Sequence, residues 1–125
     1  MKARALSVVA PAGNLIRAGV KTLEVRRWVP DVLPLRDLVI VQNKIRLSTE
    51  GVTEDAEGEA VALVDIEAVG EWREDQLAEA CGSWWEPGWK AWRLTNVRPI
   101  EVPSRVPARL GIYEIDLPEP QGRNC

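Results

Sequence analysis

Histidine is absent from this 125-residue chain, and its absence narrows the chemistry that the chain can perform. Without an imidazole there is no Ser–His or Cys–His pair to activate a nucleophile. The most common side-chain ligand of metal ions is missing as well. Any acid–base catalysis must therefore rely on Lys, Asp, Glu, Tyr or water.

Cysteine is scarce, and long apolar runs are missing. The two cysteines, Cys81 and Cys125, lack the spacing of metal ligands. We therefore expect no disulfide framework, no metal or cofactor, and a reduced, cytoplasmic environment. Met1-Lys2-Ala3-Arg4 leads directly into a strand pattern, so we expect no signal peptide. Since no apolar run approaches the roughly 20 residues that span a bilayer, we expect no membrane role.

Phenylalanine is also absent, so tryptophan must supply most aromatic side chains of the core. Of the six tryptophans, four fall within residues 84–92. Flat rings beside cations also form stacking surfaces for bases, and Lys90 and Arg93 are close in sequence. We favour core or lid packing for Trp84 and Trp85, with base stacking as the alternative.

The net charge of −3 disfavours a general, salt-driven nucleic-acid binder, but the charge is spread unevenly. Residues 1–46 hold nine Lys/Arg and three Asp/Glu, residues 47–83 hold one and eleven, and residues 84–109 hold five and two. If the fold joins the first and third blocks, they form a basic face for a short anionic ligand. If the blocks lie apart, no such face exists.

Short apolar segments between turn residues predict a mainly β, α+β domain with short helices. The predicted strands are Ala3–Val9, Thr22–Trp28, Leu38–Gln42, Glu59–Val69, one within Lys90–Ile100, and Gly111–Leu117. The predicted helices are Ala12–Ala18, ended by Gly19, and Glu71–Ala80. A flexible loop is expected at residues 43–58 and an irregular crossing at Pro103–Arg109. We expect one domain over residues 1–117 and a frayed tail at residues 118–125.

The central strand carries the clearest pattern in the chain. Its apolar face is predicted to be core and consists of Ala60, Ala62, Val64, Ile66 and Ala68. The opposite face begins with apolar residues and becomes acidic at Asp65 and Glu67. This change is typical of a strand that leaves a packed interior for a pocket rim or solvent.

The segment from Gly19 to Arg26, Gly-Val-Lys-Thr-Leu-Glu-Val-Arg, is the most informative stretch for function. Glu24 and Arg26 are two residues apart, so on a strand they point the same way, and Lys21 lies just upstream. Three charged groups at one edge of a small fold favour a polar pocket. The alternative is a salt-bridge cluster on the surface.

Other residues are expected beside these three charges. Trp28 would share the strand face of Glu24 and Arg26, which makes it a candidate ring for stacking on a ligand. Asn43 and Lys44, at the end of a neighbouring strand, would line the same cleft. We therefore take Lys21, Glu24, Arg26, Trp28, Asn43 and Lys44 as candidate ligand-binding residues.

The pattern Gly19-x-Lys21-x-x-Glu24-x-Arg26, preceded by Ala10-Pro11 and a short helix, resembles the signature of the ASCH domain. Later segments resemble that family in order: Asp37–Asn43, Gly58–Val69, Ala91-Trp92-Arg93-Leu94, Arg98-Pro99-Ile100 and Gly111–Leu117. The resemblance covers most of residues 4–117. It implies a single ASCH domain with the fold of a PUA-like small β-barrel, in which Trp92 is structural.

ASCH domains are associated with RNA-related roles, so the resemblance implies recognition of RNA or of a nucleotide-like or nucleoside ligand. In that interpretation Lys21 and Arg26 hold a phosphate or a carbonyl edge. Glu24 accepts a hydrogen bond from a base N–H or orients Arg26. An unpaired buried Glu24 would be costly, so a pair with Arg26 or Lys21 is expected even without ligand.

The alternative is a metal-independent hydrolase, either a ribonuclease or an N4-acetylcytidine-type amidohydrolase, with Lys21, Glu24 and Glu67 as candidate catalytic residues. The amidohydrolase branch has a nucleophilic threonine three residues after the lysine, where this chain has Glu24; Thr22 lies only one residue on. Asp65 and Glu67 could also bind a divalent cation together with Glu24, although such carboxylates commonly face solvent. Whether the chain is an enzyme stays open, and a protein-interaction role follows if neither RNA nor nucleosides bind.

Overall fold

The computed structural model of the chain describes residues 2–117 and consists mainly of one six-stranded sheet. The strands are β1 (Lys2–Val9), β2 (Leu23–Arg26), β3 (Leu35–Asn43), β4 (Glu54–Glu71), β5 (Lys90–Arg109) and β6 (Ile112–Asp116). Helix α1 (Ala12–Arg17) follows β1, and a 3₁₀ turn covers Glu74–Gln76. The mainly β fold with little helix is confirmed. The predicted tail at residues 118–125 lies outside the described residues.

The strands lie in the order β2-β5-β4-β3-β1-β6. Strand β1 pairs with β3 in parallel, and the other neighbouring strands are antiparallel. A parallel pair needs a long crossover connection. Here the crossover contains α1 and β2, and it carries the octapeptide from Gly19 to Arg26 to the far end of the sheet.

The sheet is not closed, so the predicted β-barrel is not shown. The sheet is nevertheless curled, so that β2 and β1 approach each other. Arg26 of β2 donates its Nη2 to the carbonyl oxygen of Ser7 on β1 at 2.9 Å. Strand β6 pairs with β1 only from Lys2 to Leu6. The last residues of β1 therefore face β2 across a gap, which we call the seam.

The core lies on both sides of the central strands β3 and β4. Four of the five predicted core residues of β4 are fully buried, namely Ala60, Ala62, Val64 and Ile66. Ala68 is exposed and Asp65 is buried, contrary to the strict alternation of the prediction. The reason is a series of register shifts between β4 and β5, each of which breaks the two-residue period.

Three local predictions are wrong because strand pairing overrides local composition. The predicted flexible loop at residues 43–58 is shorter, since β4 begins at Glu54. The predicted irregular crossing at Pro103–Arg109 belongs to β5, and Ser104 to Arg109 pair with β4. The predicted helix Glu71–Ala80 is reduced to the 3₁₀ turn at Glu74–Gln76, because β4 continues to Glu71 and the Trp72 N–H then donates to the Trp89 carbonyl at 2.9 Å. No helix within residues 2–117 is long and apolar enough to cross a membrane.

Candidate functional site

A cleft of about 380 Å³ lies at the seam, where the end of β1 faces β2. Within the described part of the chain, its charged lining consists of one carboxylate and four cations: Glu24, Lys21, Arg26, Arg46 and Arg109. Three tryptophans, Trp72, Trp84 and Trp89, also line it. The cleft therefore combines positive charge with aromatic surface.

Lys21 is positioned by the chain on both of its sides. The preceding helix ends at Arg17, and Gly19 adopts a positive φ of 78°, a conformation that glycine takes readily. The Lys21 N–H then donates to the Leu15 carbonyl at 3.1 Å, and its Nζ donates to the Ala80 carbonyl at 2.7 Å. Lys21 is only 8% exposed, so its ammonium is held inside the protein.

Glu24 lies between two cations. Its Oε1 is 3.5 Å from Lys21 Nζ, and its Oε2 accepts a hydrogen bond from Arg26 Nε at 2.6 Å. Glu24 is 6% exposed and pairs with Trp92 of β5 in the sheet register. Both carboxylate oxygens are thus compensated, as a buried charge requires.

Arg26 joins the two sides of the seam. Its Nε binds Glu24 on β2, while its Nη2 binds the Ser7 carbonyl on β1. Lys21, Glu24 and Arg26 therefore converge in one cleft. The alternative of a solvated salt-bridge cluster does not fit, because the side chains of Lys21 and Glu24 are 9% and 8% exposed.

The two candidates after β3 separate in the structure. Asn43 is 2% exposed, lines the cleft and donates its Nδ2 to the Ile45 carbonyl. Lys44 is exposed and is not part of the cleft lining, contrary to the prediction. Strand β3 ends at Asn43, so the side chain of Asn43 is buried whereas that of Lys44, one residue later, is exposed to solvent.

Trp28 and Glu67 also lie outside the cleft lining, and both corrections have a local cause. Strand β2 ends at Arg26, so Trp28 does not share the face of Glu24. Its ring instead packs edge-on against Trp92 at 4.9 Å, and its carbonyl accepts a hydrogen bond from Trp92 Nε1 at 3.1 Å. Glu67 forms an ion pair with Arg36.

One wall of the cleft is aromatic. Trp72 is 4% exposed and donates its Nε1 to the Gln76 carbonyl at 3.3 Å. The Trp84 ring contacts Trp72 and Trp89 edge-on, at centroid distances of 5.9 and 5.2 Å. Trp84 itself is 50% exposed, whereas Trp85 is partly buried and donates its Nε1 to the Trp72 carbonyl. Trp84 thus presents an exposed ring on a buried aromatic base.

Sequence reasoning missed four side chains of the cleft, Arg46, Arg109, Trp72 and Trp89. The charge blocks held part of the signal, because Arg46 comes from the first basic block and Arg109 from the third. The fold brings these blocks together at the cleft. Arg109 pairs with Glu54 at 2.9 Å, and its carbonyl accepts a hydrogen bond from Ser7 Oγ at 2.5 Å. No local pattern marks Arg46.

A second buried carboxylate, Asp65, lies in a separate cluster that we call the Asp65 network. Its donors are Asn96 Nδ2 at 3.0 Å, the Asp37 N–H at 3.0 Å, Arg98 Nη2 at 2.7 Å and Arg36 Nη1 at 3.5 Å. The hydrogen bond from Asn96, then that from the Asp37 N–H and the two arginine charges, lower the pKa of Asp65 below its ordinary value of 3.8.

The cation site considered for Asp65, Glu67 and Glu24 does not form. Asp65 and Glu67 form ion pairs with arginines, and Glu24 lies in the cleft instead. Within residues 2–117 no group of three His, Cys, Asp or Glu side chains is placed to hold a metal ion.

The ASCH domain family model matches residues 6–104, so the chain belongs to the ASCH domain family, which is generally nucleic-acid-related. The resemblance inferred from the octapeptide is therefore confirmed. No curated protein sequence matches the chain significantly.

Solved structures with a similar fold are known. An ASCH protein from Zymomonas mobilis is 21% identical over 86% of this chain and 73% of its own, with a TM-score of 0.53. Its tyrosine-to-phenylalanine variant is 19% identical over 84% and 76% of the two chains, with a TM-score of 0.53. At this identity the likeness shows the fold alone.

Proposed function

We propose that this ASCH domain recognises RNA or a nucleotide-like ligand by taking one nucleotide unit into the cleft at the seam. The observation that carries the proposal is the position of the buried Glu24 carboxylate in a cleft that also exposes the Trp84 ring. A flat ring supports a base by stacking, and a carboxylate accepts hydrogen bonds from base N–H groups.

The size of the cleft supports a small ligand unit. Small-molecule sites occupy about 300–1,000 Å³, and the cleft volume of about 380 Å³ falls near the lower end of that range. This volume is suited to a single nucleoside or nucleotide rather than to a folded helix. RNA would therefore enter as an unpaired residue, the form in which base edges are accessible.

The charge of the cleft supports an anionic ligand. Its four cations outnumber its single carboxylate among the described residues, although the whole chain has a net charge of −3. A local excess of positive charge attracts phosphate even on an acidic protein. The proposed binding is therefore local and does not require a general affinity for nucleic acid.

The hydrolase alternative has less support from the geometry. Its three candidate residues do not meet, because Glu67 pairs with Arg36 outside the cleft. Thr22, the nearest threonine to Lys21, does not line the cleft either. Of the three candidate catalytic residues, only Lys21 and Glu24 line the cleft.

The test is to titrate the protein with the four nucleosides, their monophosphates and a single-stranded RNA oligonucleotide, with chelator present. Binding is followed by tryptophan fluorescence and calorimetry, and turnover by chromatography. We expect saturable binding without turnover. Trp84→Ala should weaken binding about 5- to 150-fold, since base–aromatic stacking contributes about 1–3 kcal/mol per base.

Trp28→Ala is the matched control, because Trp28 is an exposed tryptophan outside the cleft lining, and it should leave the affinity unchanged. Turnover that is lost in Lys21→Ala would establish the hydrolase instead. Turnover of acylated cytidine alone would identify the amidohydrolase branch. If nothing binds above background at moderate salt, both functions fail and a protein-interaction role becomes the better hypothesis.

A further inference from the structure

The four cations of the cleft differ in how their charge is compensated. Lys21 and Arg26 share the Glu24 carboxylate, and Arg109 pairs with Glu54. Arg46 forms no hydrogen bond or ion pair with any residue in the range 2–117. Among the described residues, Arg46 is therefore the one cation of the cleft whose side chain has no carboxylate or hydrogen-bond partner.

The backbone on both sides of Arg46 is fixed. Asn43, which is buried, donates its Nδ2 to the Ile45 carbonyl on one side. On the other side Leu47 packs against the core cluster around Val39 and Val41, and the Ser48 N–H donates to the Val52 carbonyl at 2.9 Å. The guanidinium is thus carried to the cleft by an anchored segment, so little backbone ordering remains to be done on binding.

A guanidinium suits one ligand group in particular. It presents five N–H donors in a planar fork that matches the oxygens of a phosphate and can form two parallel hydrogen bonds. The phosphate is the only group of a nucleotide that is charged at neutral pH, and it is an anion. A guanidinium without a partner beside a base-sized cleft therefore fits a phosphate on the sugar of the nucleotide whose base the cleft holds.

We propose that Arg46 is the phosphate-binding residue of the cleft and makes the site prefer a phosphorylated nucleotide unit to the bare nucleoside. The inference rests on the proposed function, which supplies the base-binding part of the site. It adds a residue that no local sequence pattern indicated, and it assigns Lys21 and Arg26 the separate task of holding Glu24.

The experiment compares wild type, Arg46→Ala and Lys44→Ala by calorimetry, with each nucleoside measured beside its 5′- and 3′-monophosphate at one fixed salt concentration. Lys44 is the matched control because it is an exposed cation two residues away that does not line the cleft. Wild type should bind a monophosphate about ten-fold or more tightly than the nucleoside, as expected for a charge-assisted hydrogen bond. Arg46→Ala should lose most of this preference, with the nucleoside affinity unchanged, and Lys44→Ala should behave as wild type.

RNA oligonucleotides with and without a terminal phosphate separate the two sources of this phosphate. A preference for the terminal phosphate that depends on Arg46 indicates a strand end or a free nucleotide, and an Arg46 effect without that preference indicates an internal phosphate. The inference is overturned, while the proposed function stands, if nucleosides and monophosphates bind wild type equally. It is also overturned if Arg46→Ala keeps the preference or Lys44→Ala loses as much. If neither nucleosides nor nucleotides bind, the inference falls together with the proposed function.

Discussion

Glu24 and Asp65 are two buried carboxylates that each lie between two cations but differ in role. Glu24 is 6% exposed and lies between Lys21 and Arg26. Asp65 is 5% exposed and lies between Arg98 and Arg36. In each case two positively charged side chains compensate the buried negative charge, because an unpaired charge is costly inside a protein.

The surroundings of the two carboxylates differ. The cations of Asp65 keep contact with water, because the side chains of Arg98 and Arg36 are 36% and 53% exposed. Asp65 also accepts hydrogen bonds from Asn96 and from the Asp37 N–H, and it joins β3, β4 and β5. Glu24, by contrast, holds a lysine that is itself buried, and it lines a cleft.

The difference shows that a carboxylate between two cations does not by itself define a site. Groups on the neighbouring strands donate hydrogen bonds to both carboxylate oxygens of Asp65, so the Asp65 network links β3, β4 and β5. Glu24 has the same kind of partners but also faces space that a ligand can occupy. The open space next to the charges, more than the charges themselves, distinguishes the candidate site.

The largest expected effect follows from the burial of Lys21. Glu24→Ala leaves the Lys21 ammonium inside the protein without a carboxylate. Breaking a buried ion pair in this way costs about 3–5 kcal/mol of folding free energy. We therefore expect a loss of that size in the free energy of unfolding, measured by urea denaturation.

Two variants test this explanation of the loss. Glu67→Ala removes a half-exposed carboxylate and should cost at most about 1 kcal/mol. Combining Lys21→Met with Glu24→Leu replaces the buried pair by apolar side chains and should recover part of the lost stability, because only the less buried Arg26 then lacks its carboxylate partner. If the single Glu24→Ala variant is as stable as wild type, Lys21 is not held as the structure shows.

The second prediction uses ligand binding to separate the two carboxylates. A nucleotide at 100 times its dissociation constant should raise the unfolding free energy of wild type by about 2.7 kcal/mol. Asp65→Asn should start from a lower stability but show the same increase, because Asp65 does not line the cleft. Glu24→Gln should show a much smaller increase at the same ligand concentration. An Asp65→Asn variant that no longer responds to the ligand would show that the two clusters are coupled.

Much of the fold could be predicted because its signals are local. The core face of β4 follows from alternation, and the end of α1 follows from Gly19, whose φ is positive. The convergence of Lys21, Glu24 and Arg26 was also predictable, because all three lie within one short segment. The octapeptide also carries the family signature, because it is one continuous stretch of sequence.

The remaining features depend on contacts between distant residues. The predicted helix Glu71–Ala80 is reduced to a 3₁₀ turn because Glu71 pairs with Lys90 and Trp72 with Trp89, and no local pattern shows these pairings. Trp28 and Lys44 were placed in the cleft by counting along strands, but each lies just beyond a strand end, where alternation no longer holds. Arg46 and Arg109 reach the cleft only because the sheet curls.

The smallest expected effect is a pH dependence that belongs to Asp65. Its pKa in the folded protein lies below the ordinary value of 3.8, chiefly because of the Asn96 hydrogen bond and then that of the Asp37 N–H. A group with a lowered folded pKa contributes stability that is complete above its unfolded pKa and is lost as the pH falls through the folded value.

Asp65→Asn should therefore be less stable than wild type at pH 7, by about 1–2 kcal/mol for the charged hydrogen bonds that it loses. The difference in unfolding free energy should narrow as the pH falls from about 5 to about 2. Protonation of Asp65 removes this stability from wild type, whereas an asparagine does not titrate. Urea denaturation of both proteins over this range measures the gap, with Glu67→Gln as the exposed control. A gap that stays constant down to pH 2 would mean that the Asp65 network does not favour the ionised carboxylate, and the contrast with Glu24 would then rest on the cleft alone.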